Sequence, residues 1–289
     1  MRARAPASSA NLGPGFDALA VALECYVQVE VEPAAALTVH AEGEGAGQFA
    51  DAEHLAVRVA RKVVGHDRLA VTVRSHIPVS RGLGSSAALA VAAAAAAGAD
   101  DPFSVAAAMD GHPENAAASV FGGLVAATMA NGRALAAPLP LSAALSFVVI
   151  VPERSLSTAK AREILPQTVS RSDATFNLGR MGLLLAGLAD PNFLMADAMA
   201  DRIHQAARTA LFPEAPALLD ALVSSGALAS CWSGAGPSLL GITTDDAAES
   251  VRGGAEAALK KSRVAGHVLV LHADRRGLVY GDDAELPAS

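Results

Sequence analysis

Eleven consecutive apolar residues, 87–97, nearly all alanine, run on directly from the glycine-rich segment PVSRGLGSS at 78–86. Alanine-rich sequence favours helix, and a helix that is apolar on every face has to be buried. A bilayer span needs about 20 residues, so this run belongs to a protein core. The fold must therefore bring the first turn of a buried helix, with its unpaired amides and positive dipole end, against a loop containing Gly82 and Gly84. Glycines let backbone amides approach an anion closely, and Ser85 and Ser86 add two hydroxyls, one of which can ligate a magnesium ion bridging phosphates. A glycine turn capped by serine is the alternative, and this motif alone leaves both open.

Around this segment the chain mixes strand and helix signals. Val27, Val29 and Val31 alternate with Gln28, Glu30 and Glu32, the period of a half-buried strand. Further strands are expected at 37–41 and 69–74, with an amphipathic helix at 52–64 between them. Asp101 before Pro102 predicts an N-cap and a short helix ending near Asp110 and Gly111. The β-branched run 147–151 opens a second half. There, helices are expected at 159–164, 173–188, 191–200, 215–222 and 247–260, and strands at 228–232, 239–243 and 264–271. Irregular spacing of these elements predicts α+β rather than a doubly wound sheet. At roughly 150 residues per domain, the chain's 289 residues predict two domains.

Charge narrows the functions open to such a chain. Its 22 basic and 29 acidic residues give a net charge of −7, which argues against nucleic-acid binding through net positive charge. Pro6, Ser8, Ser9 and Asn11 occupy the place of a secretory apolar segment, and Cys25 and Cys231 form no paired motif. A soluble protein of a reducing cytoplasm, without a membrane partner, is therefore expected. Competing motifs fit poorly. GLGSSA at 82–87 matches the dinucleotide pattern, but the acidic residue that should end the next strand about 20 positions on is missing. The P-loop GxxxxGKS/T, the hydrolase GxSxG and paired Cys/His zinc spacings do not occur.

Several motifs together point further. PVSRGLGSSAA at 78–88 resembles the second motif of the GHMP small-molecule kinases, and PASSANLGPGFD at 6–17 resembles the first motif of homoserine kinases. SGAGPS at 233–238 is similar to the third glycine motif of that superfamily, and DGHPEN at 110–115 resembles the family's EGHPDN, with Phe121, Gly122 and Gly123 following. LSTAKAREILP at 156–166 and DRIHQAAR at 201–208 narrow the resemblance to homoserine kinases. It implies an α+β, two-domain GHMP fold: an N-terminal mixed α/β ATP-binding domain at 1–143 and a ferredoxin-like C-terminal domain at 144–289. The implied activity is ATP-dependent phosphorylation of the side-chain hydroxyl of L-homoserine, the step before threonine formation. ATP and magnesium (Mg2+) are the implied cofactors, and a homodimer the implied assembly.

Homoserine carries a carboxylate, an ammonium and a primary alcohol. Arginine's planar fork can bind two carboxylate oxygens at once, and the resemblance gives that task to Arg162 and Arg208, with Thr158 nearby. It puts Asn11 and Asp17 at the amino end, and His112 and Asn115 beside the substrate with Asn115 orienting the attacking hydroxyl. Pro78, Arg81, Gly82, Leu83, Gly84, Ser85, Ser86 and Ala87 would hold the nucleotide, and Ser86 with Asp110 the magnesium. No dedicated aspartate base is implied, so Asn115, Asn11 and Ser86 form a catalytic set that aligns groups and stabilises charge, which suits a loose phosphoryl-transfer transition state.

Some positions depart from the family pattern. Asp110 and Glu114 exchange lengths with the usual Glu and Asp; Ala206 and Ala207 replace Pro-Tyr, which predicts a wider substrate pocket; His54 stands before Leu55 where Asn is usual near the adenine. A GHMP kinase for another small hydroxy- or amino-acid alcohol and a catalytically silent ligand-binding member remain open on sequence.

Overall fold

The computed structural model describes residues 1–47 and 51–287. The valine alternation lies in a long strand, β2 (Gly15–Pro33), paired antiparallel with β1 (Arg2–Asn11) on one side and with β4 (Leu69–Ser75) on the other. β3 (Thr38–Gly43) joins β4 in parallel, and the helix α1 (Leu55–Val64) lies between them in sequence. The alanine run forms α2 (Ser85–Ala96), buried all along its length. It is followed by α3 (Pro102–Asp110), capped by Asp101 as expected, and by α4 (Pro113–Phe121). The hairpin β5 (Leu124–Ala130) and β6 (Arg133–Leu139) adds to the early part of β2.

The second half builds its own antiparallel sheet. In chain order it contains β7 (Leu145–Pro152), α5 (Thr158–Glu163), α6 (Arg171–Ala189), α7 (Gln205–Arg208) and α8 (Ala215–Ser224). β8 (Ala229–Trp232), β9 (Leu239–Thr244), α9 (Asp245–Ser262) and β10 (Gly266–His272) follow. The spatial order is β10-β7-β9-β8, the ferredoxin-like arrangement, with α8 and α9 packed over Phe212, Leu218, Trp232 and Val251. The other face of this sheet shares one core with the first, in which Phe147, Val149 and Cys231 join Val29 and Ala90. The chain then returns: β11 (Val279–Tyr280) pairs with β1, and Asp274 ties the tail down by accepting from Tyr26 Oη and from the amides of Arg276 and Gly277.

The helix expected at 191–200 is replaced by two 3-10 turns, Pro191–Phe193 and Ala196–Met199. Asp190 caps the amide of Asn192 through its own carboxylate, and that local bond competes with helix. Among the described residues, no helix is long and apolar enough to cross a membrane.

Candidate active site

The loop before α2 is held between two distant segments. Gly82 and Gly84 have φ of +76° and +63°. A Cβ on Gly82 would lie 2.2 Å from the Ser233 carbonyl oxygen, and one on Gly84 would lie 2.1 Å from Ser8 Oγ and 3.0 Å from Asn115 Oδ1. Both positions therefore require glycine for conformation and for space. The Ser8 amide donates to the Leu83 carbonyl at 3.1 Å, and Ser233 Oγ donates to the Gly82 carbonyl at 2.7 Å. Gly84 caps α2 without a side-chain hydrogen bond, so the first-turn amides of a buried helix open toward an adjoining cavity of about 280 Å³.

Pro78, Arg81, Gly82, Leu83, Gly84, Ser85 and Ser86 line this cavity. Ala87 does not: its side chain is buried in the core, and only its amide belongs to the helix's first turn. The Arg81 guanidinium also departs from expectation. It donates to the carbonyls of Pro152, Val79 and Glu153, fastening the loop to the end of β7 instead of facing a phosphate.

An adjoining wall comes from the α3–α4 junction. Asp110, at the last turn of α3, is hydrogen-bonded by Ser86, and burial pushes its carboxyl up from the usual range against that bond. Asn115 is held on both sides, accepting from Ser8 Oγ at 2.9 Å and donating from Nδ2 to Glu114 Oε1 at 3.0 Å. Its amide orientation is thereby fixed. Glu114 is only 2% exposed, and its second oxygen, Oε2, has no hydrogen-bond partner among the described residues. His112 Nδ1 lies 3.4 Å from Glu114 Oε1, and that carboxylate raises the imidazole's pKa against the opposing effect of burial.

Two helices of the second half complete the cavity. Arg162 on α5 makes a two-pronged pair with Asp17, at 3.0 Å from Nη1 and 2.7 Å from Nη2. Arg208 on α7 is 2% exposed and donates from Nη1 to His204 Nδ1 at 2.9 Å and to the Gly234 carbonyl at 2.7 Å. His204 Nε2 donates to the Gly13 carbonyl at 2.8 Å, which leaves Nδ1 as the acceptor and the ring neutral. Burial drives its pKa down to about 4, with the Arg208 charge adding to the fall and Asp201 opposing it. Asp201 shapes this turn by accepting from the amides of Ile203, His204 and Gln205. Phe16 stacks on the His204 ring at 5.1 Å, and the guanidinium carbons of Arg162 and Arg208 each lie 5.7 Å from its centroid. One aromatic ring thus underlies both arginines.

Asn11, Asp17, His112, Asn115, Thr158, Arg162 and Arg208 all line the one cavity, as do Ser86 and Asp110. Asn11 is engaged differently from the expected orienting role. Its Nδ2 donates to the Gly234 carbonyl at 2.8 Å and its Oδ1 accepts from the Asp17 amide at 3.0 Å, so it braces the first motif against the third. Ala206 and Ala207 do not line the cavity, and Ala206 is exposed. His54 lines the cavity and caps α1, accepting from the Ala56 amide, a task that asparagine commonly performs. Sequence reasoning assigned no role to Ser8, Phe16, His204 or Glu114, although each stands inside a quoted motif.

Comparison with known proteins shows the family. Residues 52–123 match the family model described as GHMP kinases N terminal domain, and residues 183–261 match GHMP kinases C terminal. The chain is 41% identical over 263 residues to a homoserine kinase of Mycobacterium sp. (strain KMS), covering 83% of each. It is 39% identical over 246 residues to a homoserine kinase of Thermus thermophilus, covering 81% of this chain and 84% of the relative. Among solved structures, homoserine kinase from Cytophaga hutchinsonii superposes with a TM-score of 0.83 at 25% identity over 96% of both chains. The mevalonate kinase of L. major shares the fold, with a TM-score of 0.71 at 16% identity and 96% coverage of each chain.

Proposed function

Because the chain belongs to the homoserine kinases of the GHMP superfamily, we propose that it transfers the γ-phosphoryl group of ATP to the side-chain hydroxyl of L-homoserine in this cavity. The observation that carries the reading is the arrangement of a single cavity. A glycine loop and a helix N-terminus form one side, two arginines and an aspartate form the other, and Asn115 stands between them in contact with the loop's neighbour Ser8.

In this reading the open amides of the loop and of the first turn of α2 bind phosphate oxygens. Arg162 and the remaining donors of Arg208 take the substrate carboxylate, Asp17 takes the ammonium, and Thr158 and His112 line the path between. Asn115, whose Nδ2 is committed to Glu114, offers Oδ1 to align the attacking hydroxyl. Ser86 and Asp110 suit magnesium, since the hydroxyl in the first turn of α2 and the half-buried carboxylate it touches at the end of α3 are both oxygen donors. When bound, that ion supplies charge neutralisation on the phosphates. The rest of the stabilisation comes from preorganised donors, each of which typically contributes about 2.7–4 kcal/mol in comparable sites. The same reading divides the chain near 143/144, between β6 and β7, and returns the tail beyond 273 to the ATP-binding half, supported by the β11–β1 pairing.

The test is magnesium-dependent ADP release with L-homoserine, L-threonine, L-serine, mevalonate and no alcohol. Release specific to homoserine is the expected result. Faster release with another alcohol overturns the substrate, and no release from folded protein overturns the activity.

A further inference from the structure

Arg81 and Ser80 join the phosphate side of the cavity to the side that carries Arg162. Arg81 Nε donates to the Pro152 carbonyl at 2.8 Å, Nη1 to the Val79 carbonyl at 2.9 Å, and Nη2 to the Glu153 carbonyl. All three acceptors are main-chain carbonyls, so the guanidinium holds the backbone at the end of β7 against the backbone of the loop. Ser80 adds a second tie, its carbonyl accepting from the Leu156 amide at 3.3 Å. The Ser80 φ of +57° is unfavourable for a residue with a side chain, and strain of this kind persists only where surrounding contacts enforce it.

These ties fix the entrance to α5. Residues 153–157 connect β7 to that helix, which is capped by Ser157 and carries Thr158 and Arg162. α5 is six residues long and buries one side chain, Ala161, so it has little packing of its own to hold it in place. Its position is set by attachments at either end. Before it stand the bonds from Arg81 and Ser80, beside Leu156, which packs against the Trp232 core. Toward its close stands the Arg162–Asp17 pair. Homoserine, in the proposed reading, draws on both members of that pair, and the upstream bonds are then what keeps Arg162 in place.

We infer that Arg81 is a positioning residue that couples the two ligands: phosphate oxygens on the loop amides restrain residues 79–82, and the bonds to Pro152, Glu153 and Leu156 pass that restraint to α5. This rests on the proposed reading of the cavity. Nucleotide and homoserine then bind with positive cooperativity, because a loop already ordered by phosphate lowers the entropy lost when Arg162 engages the carboxylate. Arg81 acts through the loop and α5, not by touching either ligand.

The test measures the L-homoserine Kd of wild type, Arg81→Lys and Arg81→Gln by calorimetry, with and without saturating MgADP, which fills the nucleotide site but has no γ-phosphoryl group to transfer. Lysine keeps the positive charge on the cavity wall and loses the fork, which separates the tie from the charge. Wild type is expected to bind homoserine at least about fivefold more tightly with MgADP, the lower end of the range for coupled sites, while in both variants the two Kd values agree within about twofold. MgADP alone should also slow hydrogen exchange over residues 153–163 in wild type and not in the variants. Urea unfolding checks that each variant is folded. A wild-type Kd indifferent to MgADP, wild-type exchange indifferent to MgADP, or either variant retaining the wild-type ratio would overturn the inference while leaving the homoserine reading intact. Failure of the wild type to phosphorylate homoserine would instead overturn that reading.

Discussion

Replacing His204 with glutamine should remove a defined part of the protein's acid sensitivity. The imidazole is held neutral between the Gly13 carbonyl and Arg208, with its pKa driven down to about 4 by burial, whereas in the unfolded chain it titrates near 6.5. Between those two values the unfolded chain binds the proton and the folded protein does not, so stability falls as pH falls through this window. Linkage puts the stability lost through this group at about 2 kcal/mol at pH 5 and about 0.2 kcal/mol at pH 7. Asp201, whose carboxyl is lowered, acts in the same direction at more acid pH, and His112, whose imidazole is raised, acts oppositely. The His112 effect is common to wild type and variant, and the Asp201 effect, to which His204 contributes, acts at pH below this window. Urea unfolding can be followed by the fluorescence of the single tryptophan, Trp232, which is buried edge-on to Phe212. The variant is expected to be less stable at pH 7 but to lose about 2 kcal/mol less than wild type on going to pH 5. Equal pH dependence in the two proteins would refute the neutral, buried imidazole and the clamp on Arg208 built from it.

Other perturbations probe different parts of the cavity. Gly84→Ala forces a left-handed conformation costing roughly 1–2 kcal/mol and sets a methyl 2.1 Å from Ser8 Oγ; calorimetry should show MgATP affinity lowered at least tenfold (~1.4 kcal/mol), and unchanged affinity would contradict the phosphate-loop assignment. Arg208→Lys loses the fork and the Gly234 contact, and kcat/KM for homoserine should fall more than about a hundredfold, the low end of the cost of two charged hydrogen bonds. A change within threefold would remove Arg208 from the carboxylate site. Asp110→Asn deletes the carboxylate facing Ser86, so the magnesium concentration for half-maximal ADP release should rise roughly tenfold or more; an unaltered magnesium requirement would reassign the ligand.

Local chemistry made some of this architecture legible in the sequence. The alanine run could only be a buried helix, Asp101 and Pro102 announced α3, and the valine alternation located the centre of β2. β1 escaped notice because RARAPASSAN is poor in the β-branched and aromatic residues that favour strands; it is a strand because β2 and β11 pair with it on both sides. α4 begins at Pro113, a good first helical residue that the reading of Gly111 as a stop concealed. The site's residues were identifiable from motifs, but their engagements were not. Asn11 meets Gly234 across 223 positions and Arg81 meets Pro152 across 71, and no local pattern encodes such pairings. Phe16 and His204 were in view as letters of motifs, yet their stacking depends on the first loop and the start of α7 meeting in the fold.

The central claim is that this cavity directs phosphoryl transfer from ATP to the alcohol of homoserine, and phosphorus NMR of the reaction mixture tests it most directly. With L-homoserine and MgATP, one new phosphomonoester resonance should grow in step with ADP and couple to the side-chain methylene protons next to the ester oxygen. Growth of inorganic phosphate alone, or no new phosphomonoester from a folded protein that binds MgATP, would contradict it.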